Sequence, residues 1–101
     1  MRERDIEKYL VKRVKELGGE CRKVVWQGRR GAPDRLVMLP DFWWWHCRAG
    51  SRGYPGPFFV ELKAPGEKPR PEQKREHDRM RECHCRVFVI DSIEGVEELL
   101  A

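Results

Sequence analysis

The sequence predicts an α/β fold, a mixed central β-sheet flanked by helices, with elements in the order α-β-β-β-α-β-α. Three observations carry that expectation. An amphipathic helical period opens the chain, short apolar runs bounded by glycine and proline follow, and a strongly charged helical segment separates the last two of them. Three strands after a helix, then a helix crossing back to a fourth strand, make a mixed sheet with helices against its faces, and the crossover should be right-handed.

Residues 5–17, DIEKYLVKRVKEL, place Ile6, Tyr9, Leu10, Val14 and Leu17 at helical spacing. Gly18-Gly19 then ends the helix, because a residue without Cβ accepts a left-handed turn. Glu7 falls at the edge of the apolar stripe, where a carboxylate looks across the boundary between core and solvent. Residues 20–27, ECRKVVWQ, read as a strand, Gly28 to Pro33 as a turn, and residues 35–39, RLVML, as a second strand. Phe58 to Lys63 form a third. Pro65, Gly66, Pro69 and Pro71 break the chain, and Pro71 suits the first turn of a helix over residues 71–83, PEQKREHDRMREC. Residues 86–90, RVFVI, form the fourth strand, and Asp91 or Ser92 caps a last helix through Leu100. Residues 41–56, DFWWWHCRAGSRGYPG, fit none of these elements and read as an extended aromatic hairpin or long loop inserted in a single domain spanning 1–101.

The chain of 101 residues is 40 % apolar and 38 % charged, a globular and very polar balance that excludes disorder. No apolar run is long enough to span a bilayer and no stretch near Met1 resembles a signal peptide, so the expectation is a cytoplasmic protein with no membrane partner. A net charge of +4 and a pI near 9.0 favour a polyanion such as nucleic acid. The 17 acidic residues exceed what a module that only binds phosphate needs. Cys21, Cys47, Cys83 and Cys85, with His46 and His84, supply zinc-ligand types at poor zinc spacing, and reduced, mostly buried thiols are the expectation.

The chemistry concentrates in residues 57–64, PFFVELKA. Alternation puts Phe58, Val60 and Leu62 on one face and Phe59, Glu61 and Lys63 on the other. An isolated Glu-x-Lys is most often a solvated ion pair. Here the apolar flanks indicate a covered strand, in which a charge pair needs partners. Asp34 closes the turn GAPD at the start of the neighbouring strand and is the natural partner of Glu61. Two converging carboxylates repel unless a divalent cation lies between them, and oxygen ligands without histidine suit Mg²⁺ or Mn²⁺. Asp34, Glu61 and the backbone carbonyl of Leu62 are the candidate metal ligands, with Glu7 acting through a metal-bound water. Such an ion activates water toward a phosphodiester. Lys63 is placed to orient that water and to offset phosphate charge. Gln73 either contacts Lys63, a water or a phosphate, or caps its own helix.

Helix-borne Glu7, the run Gly31-Ala32-Pro33-Asp34-Arg35, the run Phe59-Val60-Glu61-Leu62-Lys63-Ala64-Pro65-Gly66 and Gln73 together resemble the VRR-NUC family, a branch of the PD-(D/E)xK nucleases. The match covers most of the chain, whose size resembles stand-alone virus-type members. The resemblance implies a restriction-endonuclease-like core and Mg²⁺- or Mn²⁺-dependent, structure-selective hydrolysis of DNA. It further implies a homodimer acting on four-way (Holliday) junctions, in the cytoplasm of a host if the source is viral. Flap or general DNA cleavage, or a catalytically silent DNA-binding module, are the alternatives. It assigns Asp34 and Glu61 as metal ligands, Lys63 as the catalytic lysine, and Glu7 and Gln73 as supporting residues. The segment 41–56 departs from the family by its length and aromatic content.

Arg29, Arg30, Lys68, Arg70 and Lys74 flank the site in sequence and are the candidate DNA contacts. Arg35 should point away from Asp34 and join a structural ion pair. His77 and His84 have no catalytic partners by spacing and carry no assigned chemistry. Trp43, Trp44 and Trp45 cannot all face one way, and a local minicore or a dimer interface ranks above base stacking.

Overall fold

The first helix, α1 (Glu3–Glu16), forms where the apolar period predicts it and buries Ile6, Leu10 and Val14 completely. Asp5 folds back to accept the Arg2 N–H at 2.8 Å, which satisfies one of the open amides of the helix start. The computed structural model describes residues 1–46 and 56–101. After α1, Gly18 takes φ +84° and turns the chain into β1 (Glu20–Lys23).

Strand β1 pairs antiparallel with β2 (Arg35–Met38), β2 antiparallel with β3 (Phe58–Leu62), and β3 parallel with β4 (Val87–Ile90). The sheet order is β1-β2-β3-β4. Between the strands lie α2 (Asp41–His46) and α3 (Pro71–Glu82), and α4 (Ile93–Leu100) closes the chain. The mixed sheet flanked by helices is the predicted restriction-endonuclease-like core. The strand expected over 20–27 ends at Lys23, although Val24 N–H still donates to the Asp34 carbonyl at 2.8 Å. At the far end, the Ser92 hydroxyl rather than Asp91 caps α4, accepting the Gly95 N–H at 2.9 Å.

The two faces of the sheet differ in kind. Val37, Phe58, Val60, Leu62 and Ile90 pack with Ile6, Leu10 and Val14 of α1 and Val96, Leu99 and Leu100 of α4. Tyr9 and Arg13 of α1 both donate to the Glu97 carboxylate of α4, joining the two helices outside this core. The other face lies under α3, whose buried side chains are Gln73, Glu76, His77 and Met80. One face is therefore an apolar core, and the other mixes apolar side chains such as Phe59, Val87 and Met80 with the molecule's buried polar and charged groups.

Where a hairpin or loop was expected from residue 41, the chain forms the short helix α2, and residues 47–55 lie outside the described residues. Helical geometry, which turns successive side chains by about 100°, separates the three tryptophans. Trp43 is buried, donates its Nε1–H to the Leu100 carbonyl at 3.0 Å, and stacks edge-on with Trp44. Trp44 packs against Phe58, and Trp45 is 83 % exposed. Arg86, just before β4, covers the Trp44 ring at 4.8 Å and donates to the Gly56 carbonyl at 2.8 Å. Two of the rings thus form the minicore. Cys21, Cys83 and Cys85 are free thiols, and Cys83 is exposed rather than buried because it follows the last turn of α3. Cys47 lies outside the described residues.

Trp43→Ala removes a buried ring and its bond to α4, and should lower unfolding free energy by about 3–5 kcal/mol. Trp45→Ala should change it by less than about 0.5 kcal/mol. Urea denaturation of the two variants checks the contrast.

Candidate active site

The β2–β3 register pairs Arg35 with Val60, and one step further sets Asp34 opposite Glu61. Directly opposed residues of antiparallel strands point to the same face. The turn before Asp34 is held tightly. Trp26 donates its Nε1–H to the Pro33 carbonyl at 2.7 Å. Gly31 takes φ +80° and lies against the first turn of α3, where a Cβ would meet the Glu72 carbonyl oxygen at 2.7 Å. Any side chain here would clash with backbone and strain the turn as well.

A third tie runs through Glu76, which is 3 % exposed. Arg29 donates to one of its oxygens at 3.0 Å and Arg79 to the other at 2.6 Å. Burial pushes the Glu76 carboxyl up, but the hydrogen bonds from Arg79 and Arg29 outweigh it and hold the group below the usual carboxylate range. Arg29, expected as a phosphate contact, therefore clasps the 28–34 turn to α3 through its Nε. Arg30, Lys68, Arg70 and Lys74 are exposed, and Arg70 also pairs with Glu72 at 3.4 Å.

Glu61 and Lys63 are 8 % and 7 % exposed, on the face of the sheet under α3. Lys63 Nζ donates to Gln73 Oε1 at 2.7 Å, and the same oxygen accepts the Arg70 N–H at 2.9 Å. Both sequence alternatives for Gln73 hold at once: it caps α3 and it holds the ammonium. The Lys63 N–H donates to the Ile90 carbonyl of β4 at 2.9 Å. In a trans peptide the adjoining Leu62 carbonyl then points the opposite way, toward the β2 side that carries Asp34.

Glu61 has no comparable partner among the described residues. Its Oε1 is buried without a hydrogen bond, and so is His77 Nε2, 3.4 Å away. Burial pushes the Glu61 carboxyl up to about 7; Lys63 opposes that rise and Asp34 adds to it. Burial pushes the His77 imidazole down, so it is neutral at neutral pH. A desolvated carboxylate beside a second carboxylate, with an unsatisfied oxygen, is relieved by a proton or by a hard cation. The donor set of Asp34, Glu61 and the Leu62 carbonyl fits Mg²⁺ or Mn²⁺. No group of three or more His, Cys, Asp or Glu side chains suited to a metal is present among the described residues, so such an ion would complete its shell with water and backbone.

Glu7 is engaged by a cation of the neighbouring strand. It pairs with Arg35, which faces α1 because it opposes Val60 of the core. The same contact is the structural ion pair anticipated for Arg35. The sequence reading missed Glu76, Arg79 and His77. The signal for His77 was its place one helical turn beyond Gln73 on the buried stripe of α3.

No protein-family model matches the chain. It is 48 % identical over 92 residues to a protein named "Putative nuclease p44" from Acyrthosiphon pisum secondary endosymbiont phage 1, covering 91 % of this chain and 85 % of that one. A solved structure titled "VRR_NUC domain" superposes with a TM-score of 0.75 at 40 % identity, covering 97 % of this chain and 92 % of the other. With likeness of that extent in sequence and in fold, this chain belongs to the VRR-NUC family of nucleases.

Proposed function

We propose that the protein is a metal-dependent DNA endonuclease selective for branched structure, acting as a homodimer on four-way junctions. The observation that carries the catalytic reading is the register that faces Asp34 with the buried, unsatisfied carboxylate of Glu61, two residues from a lysine held by Gln73. Family membership and the relative's name support nuclease activity.

Asp34, Glu61 and the Leu62 carbonyl would hold Mg²⁺ or Mn²⁺, which when bound acidifies water and draws charge from a phosphodiester. The chain supplies the rest. Gln73 fixes Lys63 Nζ at the end of β3, where its positive charge balances the phosphate in the transition state and orients the attacking water. Exposed Arg30, Lys68, Arg70 and Lys74 lie on the two segments that lead into the site, and they contribute salt-sensitive phosphate contacts. Symmetric cleavage of a junction needs two such sites related by a two-fold axis, most simply in a dimer.

Lys63→Ala should retain DNA binding while cleavage in Mg²⁺ falls by at least about a hundredfold, measured by gel-shift and single-turnover assays. Undiminished cleavage sinks the assignment.

Selectivity is tested by sizing the protein in solution and comparing rates on junction, flap and linear duplex DNA. The expected outcome is a dimer with the junction cut fastest. A monomer that cuts flaps fastest would move the reading to a flap nuclease, and equal rates on all three would remove structure selectivity.

The pH dependence follows from Glu61. Its folded pKa is raised, so the stability it contributes is complete below about 4.5 and is lost as pH rises through about 7. Without metal, Glu61→Gln should match the native protein at pH 4. At pH 8 it should exceed it by on the order of 3 kcal/mol, from the size of the shift. Denaturant melts at the two pH values check the crossover. Added Mn²⁺ should stabilise the native protein at pH 8 but not the variant.

A further inference from the structure

The stripe that α3 lays on the sheet follows β3 step for step. Four helical residues advance about 6 Å and two strand residues about 6.6 Å. Gln73 therefore meets Lys63, and His77, four residues later on the helix, meets Glu61, two residues earlier on the strand. The first pair is a formed hydrogen bond at 2.7 Å. The second brings together two of the three buried side-chain polar atoms that lack a hydrogen-bond partner among the described residues.

We infer that His77 is a positioning residue for the metal site: its Nε2–H faces Glu61 Oε1 and orients the carboxylate so that the other oxygen is presented toward Asp34 and the bound cation. The inference rests on the reading of Asp34 and Glu61 as metal ligands. A lone pair on Nε2 would face the lone pairs of Oε1, so the neutral ring carries its proton on Nε2. At 3.4 Å the contact is longer than a well-formed bond, and a shift of about half an ångström completes it. His77 is not itself a third ligand, because Asp34, Glu61 and His77 do not converge as a three-group metal cluster. Nor is it replaceable by solvent. The ring is 1 % exposed, so no bulk water reaches Oε1 in its stead. Partners that hydrogen-bond metal-ligating groups set the orientation of those groups, and losing one weakens metal affinity about 10–100-fold.

The test measures Mn²⁺ binding directly, from the electron paramagnetic resonance signal of the free ion, together with metal-free thermal unfolding. Native protein, His77→Leu, His77→Gln and His77→Asn are compared, with Asp34→Asn as a control for the site. His77→Leu should bind Mn²⁺ about 10–100-fold more weakly while its metal-free melting temperature is equal to or above the native value. His77→Gln, whose amide reaches the position of Nε2–H, should recover affinity, whereas the shorter His77→Asn should not. A purely structural role for His77 would lower the melting temperature and leave affinity untouched, and that outcome overturns the inference. If His77→Leu fails to fold, equal affinity of the Gln and Asn variants overturns it instead. Native protein that binds no Mn²⁺, or binds it unchanged in the Asp34→Asn control, removes the underlying metal reading as well. Tight native binding with an intact His77→Leu affinity removes only the role of His77.

Discussion

Burying an acid and a base two residues apart at the end of a central strand is the constraint around which this protein is built. Neither charge can be left uncompensated in a covered site, because taking an ion from water costs several kcal/mol unless other groups replace the lost solvation. For Lys63 the replacement is internal: a helix amide whose oxygen also closes the start of its own helix. For Glu61 it is incomplete. The result is a carboxylate whose proton affinity is raised almost to neutrality and whose Oε1, without a hydrogen bond among the described residues, lies 3.4 Å from the His77 imidazole. Local imperfection of this kind is a common mark of sites that await a charged visitor.

The division of labour between the sheet faces follows from that constraint. Hydrophobic burial is concentrated beneath α1 and α4, where alternate side chains of β3 and β2 join an uninterrupted apolar cluster. Stability drawn from that side lets the opposite face carry Asp34, Glu61 and Lys63 at the cost of good packing. The helix over that face is a partner of the site as much as a cover for it. It presents Gln73 and His77 inward, and through Glu76 it anchors the turn that delivers Asp34. Arg35 and Glu7 fasten the same strand from the core side.

Much of this was legible in the residues. The helical period of α1, the alternation in residues 58–63 and Pro71 at a helix start each encode a local preference strong enough to survive folding. Asp34, Glu61 and Lys63 could be grouped because a strand end and a turn bring a short motif into register with its neighbour. The parts that escaped depend on distance in space. Glu7 stood at the correct edge of its helix, but which carboxylate or guanidinium it would meet depended on the face that Arg35 took. Arg29 read as a phosphate contact, and its pairing with Glu76 stayed hidden because the two are 47 residues apart in sequence. The tryptophan run resembled a hairpin because it is bulky and proline and glycine follow it. Helix α2 instead sorts Trp43 and Trp44 inward and Trp45 outward, which adjacent identical residues in a strand could not do.

Arg86 reaches both Trp44 and the carbonyl of Gly56. A single guanidinium thereby staples the departure and the return of the segment between them to the root of β4. The inward rings of α2 and the approach to β3 are thereby held by one charged group at the edge of the sheet, so the strand order that opposes positions 34 and 61 is braced from outside the strands themselves.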